Sequence, residues 1–165
     1  MPDGKNHGYG PSYRSHRQHQ HLHVLPQIWN IVQSLMMKYG IHRVRIPREA
    51  YSYKLFSANP VRIAGRDGLT YLSQKAMDAV KRLHFTTTDF FWGMVDGGNM
   101  NEGNLKYLID RLPSVHEIMM HPGRSTTVLS RSFSWEYHWQ DEFQALLSPA
   151  IRRQIEKREI QLITY

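Results

Sequence analysis

At 165 residues, 41% hydrophobic and 12% aromatic, the chain is long enough for one globular domain with a sizeable core. Twenty-one Lys and Arg against 14 Asp and Glu give a formal charge of +7, which suits an anionic partner such as nucleic acid, a phosphorylated substrate or a membrane surface. The lack of cysteine excludes disulfides and thiolate metal sites, so any metal falls to His and carboxylate ligands.

Residues 1–15, rich in Gly, Pro, Asn, Ser and basic side chains, read as a flexible leader without the apolar core of an export signal. A single α/β domain is expected over 16–165. No run reaches about 18 consecutive apolar residues, so no membrane span is expected and the cytoplasm is the default compartment. "QHLHVL" sets His19, His21 and His23 against Gln20, Leu22 and Val24, the pattern of a strand with one polar face, which Pro26 ends. In "QIWNIVQSLMMKYG" the apolar Ile28, Ile31, Val32, Leu35, Met36 and Tyr39 recur at helical spacing, and Gly40 stands at the C-terminal cap. "IHRVRIP" alternates again, so strand, helix and strand follow one another as a parallel crossover would. From Arg48 to Gly68 the chain reads as an irregular, basic and aromatic loop of functional length. A helix is predicted from Thr70 to Leu83, with Leu72, Ala76, Ala79, Val80 and Leu83 inward. "FTTTDFFWGMV" reads as extended, "GGNM" as a turn, and Asn101 as the start of a helix bearing Leu105, Leu108, Ile109 and Leu112. "SVHEIMMHPG" is a short apolar strand that runs into His121. "HWQDEFQALLSPAIRRQIEKR" is helical with a restart at Ser148 and Pro149, and "EIQLITY" is expected to close as a strand. There is no internal repeat, and strands alternating with helices predict an α/β fold with a mainly parallel sheet.

On a strand, alternate side chains lie about 6.6 Å apart on one face, so an adjacent histidine pair can converge on one cation. His19 and His23, about 13 Å apart in that geometry, cannot share a metal. A purification tag would be a continuous run ahead of a linker, whereas these histidines feed straight into "VLP"; a solvated strand edge is the other reading. His121 follows the apolar "EIMM" at a strand's C-terminal end, where α/β folds place chemistry, and imidazole titrates in the range that acid–base catalysis needs. An ordinary loop histidine is its alternative. Arg43, Arg45 and Arg48 surround the end of another strand, where a guanidinium grips a phosphate or carboxylate bidentately or is simply solvated. Arg45, Arg48 and Glu117 are the candidate substrate contacts. Trp135, Tyr137 and Trp139 are core or line a sugar cleft, with at least one in the core, and Arg152, Arg153, Lys157 and Arg158 form a solvated helix face.

"HQHLHVLPQIWNIV", "YGIHRVRIPRE", "TTTDFFWGMVDGGNM", "VHEIMMHPG" and "WEYHWQDEFQALLSPAIRRQIEKREIQLITY" occur in the order and spacing of the YdjC-like carbohydrate deacetylases of the ChbG/HpnK type. From His16 to Tyr165 the chain resembles the C-terminal portion of that family. The resemblance implies a partial TIM-type β/α barrel that hydrolyses the N-acetyl group of an amino sugar or glycolipid-type substrate. It also implies a divalent ion, magnesium or zinc, held by one Asp and two His. The family's Asp-Ser-His-x-His stretch falls on Arg17, Gln18, His19, Gln20 and His21, so His19 resembles the metal-ligating histidine and His21 its neighbour, while Arg17 replaces the aspartate. His121 matches the histidine of the His-Pro-Gly segment, which looks like the proton donor to the departing amine. The family's Asp-Asp-Phe-Gly and Gly-x-His-Leu segments have no counterpart in residues 1–15, which leaves a ligating Asp, a neighbouring base and a further ligating His unmatched. The expected function is a metal-dependent carbohydrate deacetylase impaired by truncation. The alternatives are a non-catalytic sugar-binding module, or a fragment completing a barrel with another copy or chain. A basic nucleic-acid-binding protein comes last.

Overall fold

The computed structural model describes residues 15–16, 19–49, 59–112 and 114–164, so most of the expected leader, together with Arg17 and Gln18, lies outside the described residues. Ser15–His16 forms the first strand, β1. The histidine stretch that follows is not a strand, as the alternation predicts, but a 3₁₀ turn over His19–Val24. Its backbone closes quickly because Pro26 must open a helix: Leu25 N–H donates to Leu22 O at 3.1 Å and Trp29 N–H to Leu25 O at 2.7 Å. The expected polarity holds only for the buried Val24. His21 and His23 are 5% and 0% exposed, while Leu22 is 42% exposed.

Helix α1 (Pro26–Tyr39) has proline in its first turn, where a missing N–H breaks no helical bond. It ends where the sequence predicts, with Gly40 left-handed at φ 64° and its N–H on the Met36 and Met37 carbonyls. The buried face is narrower than the apolar stripe: Trp29, Val32 and Met36 face the core, whereas Ile31, Leu35 and Tyr39 are exposed. After β2 (Arg43–Val44), helix α2 runs Pro60–Arg82 and therefore starts at Pro60, not at Thr70. The Asn59 side chain caps it, accepting from Val61 N–H at 3.0 Å and Arg62 N–H at 3.2 Å. An asparagine cap followed by proline starts a helix that tolerates Gly65 and Gly68, within a stretch whose basic and aromatic composition read as an irregular loop. Residues 50–58 of that expected loop lie outside the described residues.

Strand β3 (Phe90–Trp92), helix α3 (Glu102–Ile109) and strand β4 (His116–Ile118) follow in the expected order, with Asn101 capping α3 through Asn104 N–H, but α3 ends at Ile109 and leaves Leu112, expected on it, beyond its end. β1 pairs in parallel with β2, Ser15 opposite Arg43, and β3 with β4, Phe90 opposite His116. Parallel bridges at Arg43–Thr86 and Glu49–Phe91 join the two pairs. Four segments thus stand side by side in chain order, with α1, α2 and α3 between them. The result is a helix-rich α/β fold with small parallel sheets. No pairing of β4 back to β1 occurs among the described residues, so a closed TIM-type barrel is not what they form.

Helices α4 (Thr126–Leu129), α5 (Trp139–Leu147) and α6 (Pro149–Lys157) complete the chain, with the Ser148 hydroxyl capping α6 as predicted. "EIQLITY" does not close as a strand. Ile160 packs against the α3, α5 and α6 cluster, while Leu162 and Ile163 remain exposed, because apolar alternation makes a strand only where a sheet edge stands beside it to pair. One core gathers Trp29, Val32, Met36, Val44, Ile46, Ala76, Val80 and Phe85 between α1, β2 and α2. A second joins Leu105, Ile109, Ala145 and Ile151. Among the described residues no helix is long and apolar enough to cross a membrane.

Asn59→Ala should cost about 1 kcal/mol through loss of the α2 cap, and Met36→Ala about 2–5 kcal/mol through a core cavity. Urea unfolding checks both; an Asn59→Ala chain as stable as the parent would place the start of α2 elsewhere.

Candidate active-site cleft

The segments that leave the C-terminal ends of the strands surround a cleft of about 570 Å³. The 3₁₀ turn brings His21, the run beyond β2 brings Arg45, the loop 93–100 brings Met94 and Asn99, and the run beyond β4 brings Met119 and His121. One face of α2 closes a side with Asn59, Arg62, Arg66 and Leu69, spaced as one helical stripe. Trp135 and Tyr137 form the opposite wall, where Trp135 is 46% exposed. This divides the three aromatics: Trp139 is core, as expected for at least one of them, and the other two line the cleft.

His121 is positioned from both ends. Its backbone N–H donates to the Glu142 carboxylate, whose other oxygen accepts from Met100 N–H at 3.0 Å. Glu142 is fully buried, so one side chain of α5 ties the β4 exit to the loop 93–100. The His121 ring lies 4.8 Å from the Tyr137 ring, centroid to centroid. Gly98, at φ 85°, permits this, since a Cβ there would run into the Tyr137 ring.

A second buried carboxylate holds the other end of that loop. Glu49 accepts N–H bonds from Gly93 and Met94 at 3.1 Å and from Val95 at 3.3 Å. Burial pushes its pKa up from 4.5 to about 7, and the nearby Asp96 charge adds to the rise against the pull of the three N–H donors.

His21 stands edge-on to the buried Phe91, ring centroids 4.9 Å apart, with a backbone φ of 58° that side chains other than glycine seldom adopt. His23 lies behind it and donates Nε2–H to the Arg45 carbonyl at 2.6 Å. The Arg45 guanidinium sits 5.3 Å over the Phe91 ring and pairs with Glu117, Nε to Oε1 2.9 Å. Arg45 therefore reaches the cleft already neutralised. Glu117 does not line it and opens on a cavity at the opposite ends of the strands, with Arg43 and His116. Arg48 is not brought to the cleft either: it donates to the Asp89 carbonyl, at 2.6 Å from Nη2, and covers the Phe90 ring.

For the expected divalent ion the fit is incomplete. The backbone of His19 begins the 3₁₀ turn, but its side chain lies outside the described residues. Among the described residues no three of His, Cys, Asp and Glu are grouped to hold a metal, and a catalytic zinc takes three protein ligands.

Glu49, Glu142 and Arg62 carry no signal in the sequence. Each is a single polar residue in a stretch that reads as loop or surface helix.

Glu142→Gln keeps one acceptor and should cost about 1–3 kcal/mol by leaving an N–H facing an amide NH₂; denaturant unfolding measures it. The raised Glu49 pKa means that the folded chain holds this proton more tightly than the unfolded chain. Its contribution is complete below about pH 4.5 and is lost as pH rises toward 7, about 3 kcal/mol in all. Between those pH values the parent should lose about that much stability relative to Glu49→Gln, read from paired urea titrations.

No curated protein and no solved structure matches the chain. A family model described as YdjC-like protein matches residues 6–157, a span that covers the histidine turn, Arg45, α2, His121 and both cleft aromatics. The chain belongs to the YdjC-like family, whose members are in general related to carbohydrate deacetylases.

Proposed function

We propose that the chain hydrolyses the acetamide of an N-acetylated amino sugar, with His121 as the proton donor and the parallel array as a sector of a β/α barrel. The observation that carries this reading is the setting of His121. It sits at the exit of a parallel strand, its backbone is held by a buried carboxylate, and its ring opens on a cleft walled by Trp135 and Tyr137. Aromatic faces stack on the apolar faces of a sugar ring, which orients the acetamide toward the imidazole. Water adds to the acetamide carbonyl and gives up a proton to solvent, the C–N bond breaks, and protonated His121 delivers its proton to the departing nitrogen. The acid's remaining proton passes to solvent, leaving acetate and a free amine, and His121 takes a proton back from solvent. The left-handed backbone at His21 supports a functional role for that residue, since strain of this kind persists where a site requires it. A magnesium or zinc ion on His19 and His21 belongs to the proposal on the strength of the resemblance alone.

The assay is acetate release from N-acetylglucosamine and its short oligomers, with magnesium and zinc each supplied. His121→Asn should lower the rate by about 10²- to 10⁴-fold without unfolding the chain. An unchanged rate in that variant, or no release by the parent chain, would sink the reading. Sugar binding without release would instead favour a non-catalytic sugar-binding module, the second reading, which the Trp135–Tyr137 wall supports equally well.

A further inference from the structure

A second cavity, of about 560 Å³, lies at the ends of the strands opposite the cleft and shares no lining residue with it. The strand register builds it. A parallel bridge sets Arg43, the first residue of β2, beside Thr86, with Val44 N–H on the Thr86 carbonyl at 3.0 Å and Thr86 N–H on the His42 carbonyl at 2.7 Å. Thr86–Thr88 lead into β3 and Val115 leads into β4, so the entrances of adjacent parallel strands open on one space. The run that follows α6 crosses that space and adds Ile163 and Thr164 to its wall. It is held there by a long bond, Arg43 Nη1 donating to the Thr164 carbonyl at 3.4 Å. Cavities of roughly 300–1,000 Å³ are the size that small molecules occupy.

The polar groups of the wall are mostly donors. Arg43 makes no ion pair among the described residues, and a carbonyl acceptor leaves its charge uncancelled. The buried Thr87 and Thr88 hydroxyls have no hydrogen-bond partner among the described residues, and a buried hydroxyl left so is costly enough to call for water or a ligand. His116 accepts at Nδ1 from Trp92 Nε1–H at 2.8 Å, which puts the proton of the neutral ring on Nε2, with Ser114 Oγ 3.4 Å away. Burial favours that neutral form. The carboxylate in the wall, Glu117, is already paired with Arg45. One uncancelled cation beside a paired carboxylate suits a single negative charge better than a dianion. Val115 and Ile163, 46% and 65% exposed, add apolar surface that a ligand can cover. We propose that this cavity is a second ligand site for a small monocarboxylate with an apolar body, its carboxylate at Arg43 and the threonine run, its body against Val115 and Ile163. A guanidinium fork matches the two carboxylate oxygens. The site stands apart from the deacetylase reading and does not depend on it.

Hexanoate is the probe, with hexanamide as its neutral isostere and inorganic phosphate as the more highly charged anion. In titrations of the full chain followed by ¹H–¹⁵N NMR, hexanoate should move the amide signals of Thr86–Thr88 and Val115–Glu117. It should saturate them at about threefold to fivefold lower concentration than hexanamide, the preference that an exposed arginine supplies. Arg43→Gln should bring the two probes to near-equal affinity, and phosphate should bind more weakly than hexanoate. The proposal is overturned if hexanoate leaves those amides unmoved or moves only amides of the cleft, such as Asn99 and Tyr137. Equal affinity for hexanamide in the parent chain, tighter binding of phosphate, or a preference that survives Arg43→Gln overturns it as well. Should Arg43→Gln fail to fold, salt decides on the parent chain: the preference should shrink toward one at about 0.5 M salt, and one that does not shrink counts against Arg43. Acetate release enters none of these readings, so the deacetylase proposal and this one stand or fall separately.

Discussion

A buried carboxylate that accepts backbone N–H groups from two separate strand exits is the constraint on which the cleft depends. Glu142 reaches from the first turn of α5 to Met100 N–H and His121 N–H, and no water is needed to satisfy it. The position suits an anion, because the first turn of a helix presents unpaired N–H groups and the positive end of its dipole. Charge-assisted bonds of this kind are stronger than neutral ones, and two oxygens let one side chain serve two loops at once. Without them the β4 exit and the loop 93–100 would carry buried donors with nothing to accept from them.

Glu49 does the same at the start of that loop, accepting from Gly93, Met94 and Val95. The loop needs such support because it contains Gly93, Gly97 and Gly98, which offer no side chains to pack. What those glycines allow is close approach. At Gly93 an added Cβ would stand 2.7 Å from the Met119 carbonyl, and at Gly98 it would enter the Tyr137 ring. Polar anchoring and missing side chains thus act together: the carboxylates hold the backbone, and the glycines let Tyr137 close on it beside His121.

The chemistry of the cleft follows from how its charges are cancelled. Arg45 and Arg66 meet carboxylates, whereas Arg62 meets carbonyls and a π face. A carbonyl orients a guanidinium without neutralising it, so the field of Arg62 extends into the cleft. The Phe91 ring has a similar organising role on the other side, with His21 against its edge and Arg45 over its face. That placement orders the residues that leave β1 and β2 around one buried ring.

Where the controlling interaction is local, the sequence by itself determined the outcome. Gly40 ends α1, Asn101 opens α3, and Ser148 with Pro149 restarts the last helix, because each cap is formed within a few residues of itself. His121 was legible for the same reason, as a histidine directly beyond an apolar strand, and five motifs in order carried the family. The tertiary structure alone decided the rest. The histidine stretch turned inward as a 3₁₀ segment because Pro26 and the core beneath it prevailed over a six-residue alternation. "EIQLITY" found no sheet edge, and α2 began at Asn59 because a capped proline start is stronger than two helical glycines are weak. Glu49, Glu142 and Arg62 stayed hidden because their hydrogen-bond partners lie 21 to 46 positions away along the chain. No period or spacing records a contact of that kind. It exists only once the strands have brought their exits together.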